Sequence, residues 1–177
     1  MINAATGSVN AATSSVDDTR ALAGEIARLA QPGDLIVLAG DLGTGKTAFA
    51  QGFARALGVE EPVTSPAFVL VRTYEGRLPM VHLDVYRLDH LQELVDLGIS
   101  ELLDDGAVTL VEWGDVVAPA LPPDFLEIRL EVPPGRADAP GGARASADDR
   151  LLTIRSVGPG WSPRIDAVRR AVATWAR

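Results

Sequence analysis

Short unbroken apolar runs alternate along this chain with segments of helical periodicity. The runs at 35–39 and 108–111 contain no charged residue, which is typical of strands covered on both faces in a parallel sheet. Helical spacing marks the segment after Ser15, which forms a capping-box pattern with Asp18, and the segment 46–57, which ends before a glycine. This alternation predicts an α/β domain with a mixed, largely parallel sheet flanked by helices.

Weaker patterns complete the predicted elements. We expect a hairpin of strands at 68–74 and 80–84, one or two short helices at 91–103, strands at 125–132 and 151–157, and a last helix after Ser162 and Pro163. Residues 1–14 are small and polar without a period, which predicts a disordered tail, and 133–150 has the composition of a mobile linker. The remainder, 15–177, is expected to form a single domain.

Composition excludes several functions. The net charge is −8, which argues against unaided binding of nucleic acid, because that binding needs a cationic surface. The chain has no cysteine, so disulfides, thiolate metal sites and cysteine nucleophiles are excluded. We see neither a signal peptide nor a membrane-spanning run and therefore expect a cytoplasmic protein.

The glycine-rich segment between the first buried strand and the helix at 46–57 carries the clearest chemistry. It matches the pattern G-x-x-x-x-G-K-[ST] in every fixed position, through Gly40, Asp41, Leu42, Gly43, Thr44, Gly45, Lys46 and Thr47. Glycines allow backbone N–H groups to converge on phosphate oxygens, and the helix N-terminus adds its positive dipole end. Lys46, the only lysine among 16 basic residues, would reach the terminal phosphates of ATP, and the Thr47 hydroxyl would bind Mg²⁺. The segment predicts nucleotide binding in a fold like that of P-loop nucleoside triphosphatases.

Acidic residues at strand ends are candidates for the metal and the attacking water. Glu112 ends the apolar run at 108–111, and Asp84 ends the strand predicted before it, so both belong at the carboxyl edge of the sheet. A helix cap or a solvated loop residue is the alternative for each acid. His82 is more simply a neutral histidine satisfied within the sheet than a general base, and Trp113 either packs near the nucleotide or belongs to the core.

Several of these segments together resemble the bacterial TsaE (YjeE) family, the P-loop ATPases of tRNA threonylcarbamoyladenosine biosynthesis. The resembling blocks are Gly33-Asp34, the segment 40–47, Ser65-Pro66-Ala67-Phe68, His82-Leu83-Asp84-Val85-Tyr86-Arg87-Leu88, Glu93-Leu94 with Leu97-Gly98-Ile99, and Val111-Glu112-Trp113. The glycine-rich loop is shared by many families, whereas Asp-x-Tyr-Arg-Leu with a later Glu-Trp is much more specific.

The resemblance implies a Mg²⁺-dependent ATPase that acts with the TsaB and TsaD proteins in transfer of threonylcarbamoyl to the adenosine next to the anticodon. It implies weak intrinsic activity and contact with tRNA only through the complex, without a membrane. By analogy Thr47 and Glu112 are Mg²⁺ ligands, Lys46 and its neighbours hold the phosphates, and Asp84 serves hydrolysis. The family usually has threonine where this chain has Ala67, so a hydroxyl from that loop would have to come from Thr64 or Ser65.

Two other functions fit a glycine-rich phosphate loop. A P-loop kinase of small molecules would need an Arg-rich lid, for which this chain offers only the arginines of its last helix. A nucleotide-switched binding module would use ATP to order the loop at 64–68 and present a surface, with turnover serving only to reset it.

Overall fold

The computed structural model describes residues 7–65, 71–86, 106–134 and 146–177. In these ranges the strands are β1 (Ser8–Thr13), β2 (Leu35–Ala39), β3 (Val71–Tyr74), β4 (Met80–Asp84), β5 (Val108–Glu112), β6 (Phe125–Glu131) and β7 (Arg150–Val157). The α-helices there are α1 (Val16–Ala27), α2 (Lys46–Ala56), α3 (Gly114–Val117) and α4 (Ile165–Ala171). One sheet contains all seven of these strands, in the order β1-β7-β6-β2-β5-β4-β3.

The centre of the sheet is parallel and its two sides are antiparallel. Strand β2 pairs in parallel with β5 and β6, and β4 pairs in parallel with β5. The outer pairs, β3 with β4, β6 with β7 and β7 with β1, are antiparallel. The expected mixed, largely parallel sheet flanked by helices is therefore confirmed, and the carboxyl ends of β2, β4 and β5 lie at one edge.

Helices α1 and α2 cover the same face of the sheet. Ser15 caps α1 by accepting a hydrogen bond of 3.0 Å from the Asp18 N–H, as the capping-box pattern predicts. Phe49 and Phe53 of α2 pack with Leu22 of α1 against the buried residues of β2 and β5 on that face. The opposite face has a smaller apolar cluster, built around Val37, Leu83 and Val111 and covered by α3 and the turn after it. Both faces of β2 are thus buried, which explains its unbroken apolar sequence.

The prediction of a disordered tail over 1–14 is wrong for Ser8–Thr13, which form the edge strand β1. Every second residue, Val9, Ala11 and Thr13, is buried, and the whole strand pairs with β7. The C-terminus covers part of this edge, because the Arg177 N–H donates to the Asn10 carbonyl. Small residues give a weak pattern, and the strand is stabilised by partners more than a hundred residues away.

Other predicted elements agree with the structure where it describes them. Strand β4 has the predicted bounds, and β6 and β7 agree to within one residue. The last helix opens with a 3₁₀ turn at Ser162–Arg164 before α4. The helices predicted at 91–103, most of the predicted 133–150 excursion, and Pro66, Ala67 and Phe68 lie outside the described residues.

Candidate functional site

The glycine-rich loop joins the carboxyl end of β2 to the start of α2, and two of its glycines are required by the backbone. Gly40 has φ +128°, and a Cβ there would lie 2.1 Å from the Leu130 carbonyl oxygen of β6. Gly45, the residue before α2, has φ +101°, a left-handed conformation that side chains rarely adopt. Substitution at either glycine would therefore distort the turn that places the N-terminus of α2.

The Lys46 ammonium group is held inside this loop. Its Nζ donates hydrogen bonds of 2.8 Å to both the Gly40 and the Asp41 carbonyl oxygens, and it lies 3.6 Å from the centroid of the Trp113 ring. Burial lowers the pKa of Lys46, and the nearby carboxylates, Glu112 foremost, oppose that shift. The only lysine of the chain is thus a buried cation in an acidic surrounding.

Thr47 and Glu112 meet across the loop although 65 residues separate them. The Thr47 hydroxyl donates to Glu112 Oε2 at 3.1 Å, and Glu112 is only 2% exposed. His82 Nε2 lies 2.9 Å from the other oxygen, Oε1, so a proton on Nε2 would form a hydrogen bond that holds the carboxylate at the oxygen not used by Thr47. His82 is fully buried and its Nδ1 has no hydrogen-bond partner among the described residues, so only Nε2 fits the expectation of a histidine satisfied within the sheet.

Asp84 lies beside Glu112 at the same edge of the sheet. The two residues are paired across the parallel strands β4 and β5, so their side chains leave the same face. Asp84 Oδ2 accepts a hydrogen bond of 2.6 Å from the Ser65 hydroxyl, and Oδ1 accepts one of 3.1 Å from the Tyr86 N–H. Both carboxylate oxygens of Asp84 are therefore held by neighbours other than those that hold Glu112.

Trp113 adopts an unusual backbone conformation directly after Glu112. Its φ of +62° is the only positive value of a residue other than glycine among the described residues. This conformation is strained for a bulky side chain, and such strain is concentrated at functional sites. Here it lays the indole over Lys46 Nζ and against Tyr86, whose ring centroid lies 4.7 Å away. The two aromatic rings form one wall of the site.

These groups surround a cavity of about 430 Å³, lined by Leu42, Gly43, Gly45, Lys46, Thr47, Ser65, Asp84, Tyr86, Glu112 and Trp113. The structure thus brings together both predicted acids, the lysine, Thr47 and Trp113. The predicted binding residues Gly40, Asp41 and Thr44 lie outside this cavity. They shape the loop instead, because the Asp41 carbonyl accepts from both Lys46 Nζ and the Thr44 hydroxyl.

Sequence reasoning missed two contributors to the site. Tyr86 was visible only as part of the Asp-x-Tyr-Arg-Leu pattern, and its ring now lies in the cavity wall. Arg150, the first residue of β7, donates from Nε to the Thr44 carbonyl at 2.9 Å and from Nη2 to the Gly43 carbonyl at 3.2 Å. No sequence signal marks Arg150, because it follows a linker-like segment and acts on a loop 106 residues away.

No three His, Cys, Asp or Glu side chains in the described ranges group as a metal site of their own. No helix in the described part of the chain is long and apolar enough to cross a membrane.

A glycine-rich loop between a central parallel strand and a helix, with acids at the neighbouring strand ends, defines the P-loop class of α/β proteins. The sequence profile of the family "Threonylcarbamoyl adenosine biosynthesis protein TsaE" matches residues 13–137. The chain belongs to the TsaE family.

Individual relatives agree with this assignment. The chain is 39% identical over 143 residues to a tRNA threonylcarbamoyladenosine biosynthesis protein TsaE of Bacillus subtilis, covering 80% of this chain and 82% of the relative. It is 45% identical over 136 residues to the protein of that name from Mycobacterium bovis, covering 71% and 80% respectively. Among solved structures, Bacillus subtilis YdiB superposes with a TM-score of 0.75 at 32% identity, covering 93% of this chain and 96% of that one.

Proposed function

We propose that this chain binds ATP with Mg²⁺ in the cavity at the glycine-rich loop and hydrolyses it. One observation carries the proposal: the Thr47 hydroxyl and the Glu112 carboxylate lie 3.1 Å apart in the cavity that also contains Lys46. A partly buried hydroxyl at the head of α2 and a buried carboxylate at the end of β5, beside a cation, form the combination that a metal-bound triphosphate requires.

The residues present fit Mg²⁺. Thr47 and Glu112 offer hard oxygen donors, and Mg²⁺ characteristically uses one or two such protein groups together with phosphate oxygens and water. The ion would neutralise charge on the phosphates. His82 would keep the Glu112 carboxylate in position, because its Nε2 occupies the oxygen that faces away from Thr47.

Asp84 is the residue that we assign to hydrolysis. Its carboxylate lines the cavity beside Glu112, and hydrogen bonds from Ser65 and the Tyr86 N–H hold both of its oxygens. In that position it would orient the attacking water towards the terminal phosphate. The family usually has threonine where this chain has Ala67, and the Ser65 hydroxyl can take the place of the hydroxyl that alanine lacks. We expect weak activity by the isolated chain.

The family determines where this activity acts. We infer that the chain takes part in synthesis of threonylcarbamoyladenosine in tRNA, together with TsaB and TsaD proteins, in the cytoplasm. The acidic net charge of −8 supports contact with tRNA through partners, since the chain has no cationic surplus. We further infer that the chain forms a single domain, which includes β1 and therefore starts before residue 15.

Calorimetry with MgATP tests the site. Lys46→Ala removes the ammonium group, and we expect binding of MgATP to the folded variant to fall below detection. Arg55→Ala is the matched control, because it removes one positive charge from the exposed side of the last turn of the same helix. Full binding and hydrolysis by Lys46→Ala would refute the site.

Mass spectrometry of tRNA nucleosides tests the pathway. Cells depleted of this chain should lose threonylcarbamoyladenosine, and the wild-type chain, but not Lys46→Ala, should restore it. A pulldown with TsaB and TsaD, with and without ATP, tests the partners. Normal levels of the modified nucleoside in depleted cells that have no second enzyme for it would exclude this role.

The hydrogen bond between Ser65 and Asp84 also favours a nucleotide-switched binding module. It ties Ser65, a residue of the loop predicted to respond to ATP, to the residue assigned to hydrolysis, so a change at Asp84 would reach Ser65 directly. In that case ATP binding without turnover would suffice for association with the partners. Asp84→Asn distinguishes the two functions. If ATP acts only as a switch, the variant should lose turnover but keep ATP-dependent association and nucleoside synthesis. If hydrolysis itself is required, nucleoside synthesis should be lost together with turnover.

A further inference from the structure

Arg150 reaches the glycine-rich loop from the side of β7. Its guanidinium donates to the carbonyl oxygens of Thr44 and Gly43 and also, from Nη1, to those of Ala147 and Asp149, at 2.7 and 2.8 Å. The residue therefore links the turn that precedes β7 to the loop that precedes α2. The match to the family profile ends at residue 137 and does not include it.

Both loop peptides that Arg150 contacts adjoin a glycine, which lowers the cost of rotating them. The 43–44 peptide adjoins Gly43 and the 44–45 peptide adjoins Gly45, and glycine accepts either sign of φ at little cost. Both glycines have positive φ, of +79° and +101°. The 43–44 peptide is also held within the loop by a hydrogen bond of 3.4 Å from the Thr44 N–H to the Asp41 carbonyl. Without the restraint from Arg150, the 44–45 peptide plane could flip and turn the Gly45 N–H away from a ligand.

Fixing a carbonyl fixes the amide on the other side of the same peptide. A trans peptide is planar, so its N–H points opposite to its C=O. While Arg150 holds the Thr44 carbonyl, the Gly45 N–H must point in the opposite direction, away from the guanidinium. The positively charged guanidinium beside the carbonyl oxygen also polarises the peptide, which makes its N–H a stronger donor to an anion.

We propose that Arg150 is a positioning residue that locks the glycine-rich loop in the conformation whose amides receive phosphate. The inference rests on the proposed binding of nucleotide in this cavity. A lysine could not replace it fully, because a single ammonium group does not present the planar fork that reaches two carbonyls and the adjoining turn at once.

The test compares Arg150→Gln and Arg150→Lys with Arg155→Gln in the full-length chain. Arg155 lies on the same strand and carries the same charge, but it pairs with Glu127 and not with the loop. Amide hydrogen exchange of residues 40–47 in the nucleotide-free protein reports loop order, calorimetry with ADP and Mg²⁺ reports phosphate binding, and thermal unfolding reports the fold.

We expect Arg150→Gln to speed exchange in the loop and to weaken ADP binding, each about tenfold, with an unfolding midpoint equal to that of Arg155→Gln. Arg150→Lys should lie between Arg150→Gln and the wild type in both measurements, and it carries the test alone if Arg150→Gln does not fold.

Three results would overturn the proposal: unchanged loop exchange in both Arg150 variants, weaker ADP binding without faster loop exchange, or full recovery by lysine. Failure of the wild-type chain to bind any nucleotide would instead refute the proposed function, while the exchange comparison would still decide the role of Arg150 in ordering the loop.

Discussion

The crossing of α1 and α2 holds the helix that begins at Lys46, and the two helices meet at Gly52. A Cβ added to Gly52 would lie 2.2 Å from the Arg20 carbonyl oxygen and 2.5 Å from its Cα, where ordinary contact begins at 3.4 Å. Both atoms belong to the backbone of α1, so Gly52→Ala must push the helices about 1 Å apart. Overpacking of this kind costs about 1–3 kcal/mol. The higher helix propensity of alanine offsets about 0.5–1 kcal/mol of it.

Gly24 provides the matched control on the facing helix. A Cβ there would meet the Ala56 Cβ at 3.5 Å, which is ordinary contact, so Gly24→Ala should keep its full gain in helix propensity. In a domain of this size 1 kcal/mol corresponds to about 2–4 °C in Tm. We therefore expect Gly52→Ala, with a net cost of about 0.5–2 kcal/mol, to lower the Tm by about 1–8 °C and Gly24→Ala to raise it by about 1–4 °C, as measured by calorimetric unfolding. Equal effects of the two substitutions would contradict the close helix crossing.

Three further substitutions test the site and its supports. Glu112→Gln should lower Mg²⁺-dependent ATP hydrolysis by about 10–100-fold and ADP affinity much less, as enzyme assays and calorimetry would show, because it removes the negative charge and one of the two oxygens from the proposed metal ligand. Arg164→Met leaves Asp34 without the two hydrogen bonds, of 2.8 and 2.6 Å, that it accepts from the guanidinium, and should cost about 3 kcal/mol in urea unfolding. For Asp18, burial raises the pKa, but hydrogen bonds from Trp175 and a backbone amide outweigh it and leave the pKa below its ordinary value. Its ionised form therefore stabilises the fold above about pH 4, and the difference in unfolding free energy from Asp18→Asn should shrink as the pH falls further.

The local sequence pattern was sufficient to predict the central strands of the sheet but not its edge strand β1. Strands β2 and β5 are buried on both faces, and strands buried in this way have apolar runs that can be recognised in the sequence. Strand β1 consists of small and polar residues, and half of them face solvent. Its stability comes from pairing with β7, a long-range contact that no local pattern records.

Within the site, too, some features could be predicted from the sequence and others could not. The loop residues, Asp84 and Glu112 could be predicted to share one edge because parallel strands deliver their carboxyl ends there. The partners of Lys46, by contrast, are two carbonyl groups of its own loop and the face of Trp113, which depend on backbone torsions. The contact of Arg150 with the loop depends on how β7 is placed beside β6, and its sequence neighbourhood carries no period.

Asp84 and Glu112 occupy equivalent positions in the register of adjacent strands, but their hydrogen-bond partners differ. Two carboxylates side by side on adjacent strands repel each other, and Lys46 is the cation close enough to both to offset that repulsion. Glu112 is turned to the head of α2 and locked between Thr47 and His82, which suits a fixed metal ligand. Asp84 instead accepts a hydrogen bond from the Ser65 hydroxyl, which belongs to the segment after α2. Register alone would make the two acids interchangeable, and their different partners are the reason that we propose the metal for Glu112 and the water for Asp84.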